Sequence, residues 1–323
     1  MQLFCFLVTF ISCIAVVSAC VADEPWIIDP HTHFKGTKQI AAENATQTRD
    51  PRNSLGKVIV PEDYRELADR LGIQSTLIVE AVDQDQPQFN DWILKEAGSD
   101  LVCGYVARGD LKSADFAANY TRYRGSGYMK GYRFRFDELH GYLSDPAALK
   151  HLGTLERDGM VVDLLIEATH AADVIELAKK FPELKIIINH CFRAKLNDGR
   201  MSEEWKAAVK DCAQFPNVYC KISSILNFTT SKPFDERAPS DLNTYLPVLE
   251  PCFDAFGEDR VIFATNWGVS AHFGPVDDVV RIVSEFLQSK SDAAYRKGMR
   301  QNAIRVYGIS RNHLRSRNII GVR

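Results

Sequence analysis

The sequence is poor in the features that would place it outside ordinary globular enzymes. It has no excess of positive charge: 39 Lys and Arg stand against 42 Asp and Glu, a net charge of −3. That balance leaves no global basic face and argues against nucleic acid as a partner. It has no Cys-x-x-Cys pair, so neither a zinc ribbon nor a thioredoxin-like redox motif is present. It has no G-x-G-x-x-G after any candidate strand, and Gly104 and Gly109 are wrongly spaced for one. It has no linker, repeat or low-complexity stretch. Beyond the first segment, no run reaches the roughly 18 apolar residues of a membrane helix. With 46% hydrophobic and 25% charged residues, the composition is that of a folded chain.

The exception is Met1–Ala19, which lacks any charged side chain and is almost wholly apolar. Residues 1–22 read as a secretory signal, although the usual Lys or Arg of the first few positions is missing. Val17-Ser18-Ala19-Cys20 resembles a bacterial lipobox, in which Cys20 would carry lipid; ordinary cleavage after Ala19 or Ala22 and an uncleaved anchor are the alternatives. The expected location is outside the cytoplasm, periplasmic, membrane-anchored or secreted, with membrane contact only through this segment. Cys5 and Cys13 leave with the signal. Cys103, Cys191, Cys212, Cys220 and Cys252 read as buried free thiols, with a single disulfide left open.

From residue 23 to 310 the chain alternates between two patterns. Apolar runs of strand length begin near Trp26, Ile73, Leu101, Met129, Met160, Lys185, Asn217 and Arg260. They are continuous in Val, Ile and Leu, as in parallel strands covered on both faces. Helical patterns fill the gaps at 61–71, 87–97, 114–123, 146–157, 171–181, 203–214, 242–256 and 276–287. Several open on Pro, whose missing N–H costs nothing in the first turn. Asp145 and Ser202 precede two of them as N-caps. Eight strand-then-helix units predict one α/β domain, a (β/α)8 barrel, with an extra C-terminal helix at 302–309. The polar segments 35–60 and 227–240 are long enough to be lids. The tail, 311–323, carries Arg311, Arg315, Arg317 and Arg323 and reads as a solvated end.

A barrel of this kind builds its active site at the C-terminal ends of the strands. The first strand ends in Asp29-Pro30-His31-Thr32-His33. Alternation puts His31 and His33 on one face, a natural chelating pair for a divalent ion. Glu80 ends strand two, Arg108 and Asp110 follow strand three, and Glu167 and His190 end strands five and six. Arg133 and Arg135 share a face of strand four. Forked hydrogen bonds from the pair suit a carboxylate or polyhydroxy acid, whereas burial would pair them with Asp163 or Glu167. Lys221 on strand seven is either a substrate clamp or an interior lysine tied to a neighbour. Asn266-Trp267 ends strand eight. His140, His151, His272 and His313 read as surface or loop residues, and His170 as part of the first turn of the fifth helix.

Five stretches in this order carry a resemblance: IIDPHTHF (27–34), FPELKIIINHC (181–191), NVYCKISSI (217–225), DRVIFATNW (259–267) and NAIRVYGI (302–309). They resemble the amidohydrolase superfamily and, within it, the amidohydrolase-related family of TIM-barrel metal-dependent hydrolases, nearest its sugar-lactonase branch. The resemblance implies that His31 and His33 bind a metal, most simply one zinc ion, and that His190 polarises substrate or moves a proton. A strand-five His is usual in the family, and Glu167 stands near that place as an alternative ligand. The family's strand-eight Asp, which binds metal and activates water, is Asn266 here. An amide cannot take a proton from water at ordinary pH. Some members of this branch are thought to act without metal. No strand-four lysine is placed for a carboxylated bridge, so a binuclear centre is not expected.

These readings predict hydrolysis of a small cyclic ester or carboxylated substrate. The ion would sit on His31, His33 and Glu167; His190 and Asn266 would be the catalytic residues, and Arg133, Arg135, Lys221 and Trp267 would bind substrate. Because of Asn266, a non-catalytic sugar-acid binding protein is the alternative, and decarboxylation on the same scaffold is a third. The sequence gives no oligomeric state.

Overall fold

The computed structural model describes residues 26–44, 56–80, 87–96, 98–136, 138–230 and 232–315. The signal reading at 1–22, with Cys20, lies outside the described residues. Eight parallel strands form one sheet in the order of the chain: β1 Ile27–Thr32, β2 Ile73–Val79, β3 Val102–Ala107, β4 Met129–Arg135, β5 Val161–Leu165, β6 Lys185–Ile188, β7 Val218–Ile222 and β8 Val261–Phe263. Helices cover the outside, so the expected (β/α)8 barrel is what the chain forms.

The ends of the sheet meet through a side chain rather than a ladder. Among the described residues, Thr32 and Trp267 form the single backbone bridge from β1 to the segment after β8, with His33 N donating to Trp267 O at 3.2 Å. Beneath this bridge, the buried Asp29 carboxylate accepts from Thr265 N (2.9 Å), Thr265 Oγ1 (2.5 Å) and Tyr64 OH (2.7 Å). One acid thus satisfies donors from both edges and from the helix Pro61–Arg70, and so supplies the closure. Between β4 and β5 the strands approach so closely that a Cβ on Gly131 would run into the Val161 carbonyl oxygen.

Strand alternation divides the core in two. Ile27, Ile78, Val162, Leu164, Ile186 and Ile188 pack outward against the helices. Ile28, Leu77, Val79, Val161, Ile187 and Ile262 fill the barrel, where Ala303, Val306, Tyr307 and Ile309 join them. The extra C-terminal helix, Asn302–Val306, is therefore the plug of the barrel floor.

Capping explains where helices start. Asp145 accepts from Ala147 N and Ala148 N at 2.8 and 3.0 Å, and Pro146 follows it. Ser202 accepts from Trp205 N at 3.2 Å. The helix Glu138–Leu143 was hidden in a βα connection. The start of the tail is not a solvated end. Arg315 N donates to Ser75 Oγ at 3.0 Å, Gln74 donates to Arg315 O at 2.7 Å, and His313 stacks on Tyr128 at 4.3 Å. These residues are tied down because the start of β2 offers polar partners and Tyr128, just before β4, offers its ring. The base of the 35–60 connection is closed by Lys35 and Ile59, which exchange backbone hydrogen bonds of 2.8 and 2.9 Å.

Candidate active site

Three histidines converge at the C-terminal rim. The His31 and His33 rings stand edge to face with centroids 5.0 Å apart, and the His31 and His190 centroids are 4.7 Å apart. All three are buried. Burial pushes each ring well below the usual imidazole range, and cationic neighbours add to the effect: Lys221 first for His31, Arg133 for His33 and His190. The three are neutral near pH 7.

Their proton positions follow from their neighbours. The Lys221 ammonium has three acceptors: Asp163 Oδ2 at 2.6 Å, Pro30 O at 3.3 Å and His31 Nδ1 at 3.4 Å. His31 Nδ1 therefore accepts, and its proton sits on Nε2. That atom is buried and has no hydrogen-bond partner among the described residues. His33 Nδ1 faces the Val79 carbonyl at 2.7 Å and donates to it, leaving Nε2 as an acceptor. Nε2 then meets Asn266 Oδ1 at 3.0 Å, acceptor to acceptor, while Asn266 Nδ2 donates to Ser224 Oγ at 2.8 Å. Turning the amide over relieves the clash, and so does a cation held by both atoms. His190 Nδ1 contacts Ser223 Oγ at 2.7 Å.

The backbone that presents these groups is strained. His190, Cys191, Phe192 and Arg193 all have φ between 49° and 57°, a left-handed turn without glycine. Ser224 and Asn266, just past β7 and β8, have φ of 57° and 56°. Each such residue costs on the order of 1–2 kcal/mol, and strain of this kind collects at functional sites.

Beside the histidines opens a cleft of about 640 Å³ whose lining includes His33, His190, Asn266 and Ser224 together with Arg133, Arg135, Arg193 and Lys195. Among the described residues, no carboxylate lines it. Arg133 is buried, donates to Glu80 O at 3.0 Å, and is lowered to about 10 by burial, which leaves it charged. The 227–240 segment contributes Asn227, Phe228, Thr229, Thr230 and Pro233 to the wall.

Three sequence-based site residues stand elsewhere. Glu167 lies two residues beyond β5, half exposed, and pairs with Arg193 at 3.0 Å. It is not brought to the histidine pair. Among the described residues, the group of three metal-binding side chains with ligand atoms within 4.8 Å of one another is Cys191, Cys220 and Cys252. Lys221 is the interior lysine of the two readings: it and Asp163 are wholly buried, and Tyr307 OH donates to Asp163 Oδ1 at 2.8 Å. Trp267 packs on Tyr64 and Phe34, with centroids 4.7 and 5.6 Å apart, and is not part of the cleft wall. The sequence reading did not single out Ser224, Arg193 and Lys195 as site residues. Their positions just after β6 and β7 were the available signal.

The residues fit a divalent ion at His31 and His33. His31 Nε2 is an orphaned buried nitrogen, and His33 is held by a carbonyl through its other nitrogen, the usual support of a ligating imidazole. His33 Nε2 and Asn266 Oδ1, 3.0 Å apart and both acceptors, are a contact that a bound cation would relieve. The site is a weak one: it has no carboxylate, and ligation by His31 Nε2 moves its proton toward the Lys221 ammonium.

A family model described as Amidohydrolase matches residues 28–309. An L-fucono-1,5-lactonase of Burkholderia ambifaria is 27% identical over 254 residues, 76% of this chain and 83% of the relative. An amidohydrolase from Burkholderia multivorans solved with bound zinc superposes with a TM-score of 0.75 at 21% identity, covering 88% of this chain and all of the other. A probable 2-pyrone-4,6-dicarboxylic acid hydrolase from Acinetobacter baumannii, with citric acid bound, gives 0.68 at 14% identity over 87% of this chain and 99% of its own.

Proposed function

Since the chain belongs to the amidohydrolase family, we propose that it opens a small lactone bearing a carboxylate, by addition of water at the ring carbonyl. The carrying observation is the cleft itself: among the described residues its lining holds two neutral imidazoles, His33 and His190, with His31 packed behind them, four cationic side chains, of which Arg193 is paired with Glu167, and no acid. Such a field favours an anionic substrate and disfavours a cationic one. The lactonase relatives support the ester class, and the sugar-lactone branch supports a polyhydroxy acid product.

Arg133 and Arg135 anchor the substrate carboxylate and set the ring carbonyl toward the histidines. His190, in line with Ser223, takes the proton from the attacking water through its neutral ring and returns it to the leaving alkoxide. His31 Nε2–H, which has no protein acceptor among the described residues, donates to the oxygen on which charge develops. Asn266 orients water by hydrogen bonding and takes no proton. A divalent ion held by His31 and His33 would take the place of the His31 Nε2–H donor and would supply polarisation of the carbonyl and a water whose pKa is lowered toward about 7. An alkoxide leaves with less help than an amine, so the loss of the strand-eight acid is best tolerated by an ester.

The test is a pH-stat screen of lactones in matched pairs, with and without a carboxylate, with CO2 release followed in parallel. Faster turnover of the charged partner supports the reading. Preference for neutral lactones removes the carboxylate, and CO2 release makes the protein a decarboxylase. Binding without turnover makes it a binding protein. The apolar segment at 1–22 supports an exported location, tested by the N-terminal mass of the mature chain.

A further inference from the structure

Outside the rim site, the barrel wall holds a second cluster of chemically capable groups. Cys191 comes from the left-handed turn after β6, Cys220 from β7 and Cys252 from the helix Leu246–Phe256. All three are fully buried free thiols. Cys191 Sγ and Cys220 Sγ are 3.9 Å apart, and the three sulfurs lie within 4.8 Å of one another.

We propose that Cys191, Cys220 and Cys252 form a three-sulfur site for a soft monovalent cation, with Cu(I) as its probe. An ion in the plane of three sulfurs, with bonds of about 2.3 Å, holds each pair about 4.0 Å apart. The Cys191–Cys220 pair already has that spacing, and Cys252 reaches it with a shift of under an ångström. No fourth His, Asp or Glu joins the group among the described residues. Structural zinc is almost always four-coordinate, whereas soft thiolate sets select Cu(I). Each cysteine that bonds the cation does so as its thiolate and gives up its proton to solvent. No electron is transferred. Cys191 follows His190 directly, so the ion ties the strained turn bearing His190 to β7 and to the helix outside it. This site is independent of the lactonase reading.

The full-length chain is produced in copper-supplemented medium, kept anaerobic, desalted against a moderate copper chelator, and assayed by elemental analysis and X-ray absorption. One copper per chain with a first shell of three sulfurs is expected, together with a higher Tm than the copper-free protein. Cys220→Ala and Cys252→Ala should each lower retained copper at least tenfold. Cys103→Ala, at a buried thiol outside the cluster, should retain it, as should the His31→Ala/His33→Ala double variant. Less than a tenth of an equivalent in the wild type, a nitrogen shell, or equal retention by Cys220→Ala overturns the proposal. A mass deficit of two hydrogens on the denatured wild type, reporting a disulfide, also overturns it. If the cysteine variants fail to fold, the wild-type absorption spectrum decides alone.

Discussion

The floor and the rim of the barrel are built from the same strands and obey opposite rules. On the floor, Asp163, Lys221 and Tyr307 bury two charges and a phenol with both charges directly paired. At the rim, His31 Nε2 has no partner among the described residues, His33 and Asn266 present acceptor to acceptor, and six residues hold left-handed backbone. Completed pairing gives stability and no chemistry; incompleteness costs stability and leaves groups free to meet a substrate. Lys221 joins the two, because its third hydrogen bond sets the proton of His31.

The sharpest way to break this contrast is at the rim. Loss of the His190 ring should lower kcat/KM by about 10²–10⁴-fold, the usual worth of a general acid–base group, with little change in stability. On the floor the expectation reverses. Lys221→Met leaves the Asp163 carboxylate buried and uncompensated, and should cost about 3–5 kcal/mol in urea unfolding. Equal stability of this variant would contradict a stabilising role for the Lys221–Asp163 pair.

The three rim histidines also make stability depend on pH. Their folded pKa values lie below the unfolded value of about 6.5. Below pH 6.5 the unfolded chain therefore binds more protons, and stability falls as pH falls. The limiting slope for three rings is about 4 kcal/mol per pH unit, read from unfolding midpoints between pH 6.5 and 5. A flat profile there would place charged imidazoles at the rim.

A smaller effect is expected at Asn266. Asn266→Asp adds a carboxylate next to His33 Nε2, and should raise zinc retention on dialysis about tenfold or more. The smallest is at Glu167. Its half-exposed pair with Arg193 is worth roughly 0.2–1 kcal/mol. Glu167→Gln should leave zinc content unchanged, and loss of zinc there would return Glu167 to the metal site.

The sequence made the barrel legible because its strands are continuous apolar runs with turn signals between them. It also exposed the imidazole pair, since a two-residue spacing on a strand end has one geometric meaning. Glu167 was misplaced because β5 ends at Leu165 and the chain turns at once into a short helical turn, aiming the acid at Arg193. Trp267 was misjudged because Asn266 adopts a left-handed φ, which sends the next side chain back onto Tyr64 and Phe34. The cysteine cluster was invisible, because its members come from three elements far apart in the chain.

The most direct test of the account is the pH-stat rate of hydrolysis of a carboxylate-bearing lactone by the wild type and by His190→Ala, at saturating and at low substrate. Measurable turnover by the wild type and a loss of at least a hundredfold in the variant are expected, with binding of the substrate retained through Arg133 and Arg135. Equal rates for the two proteins would contradict it.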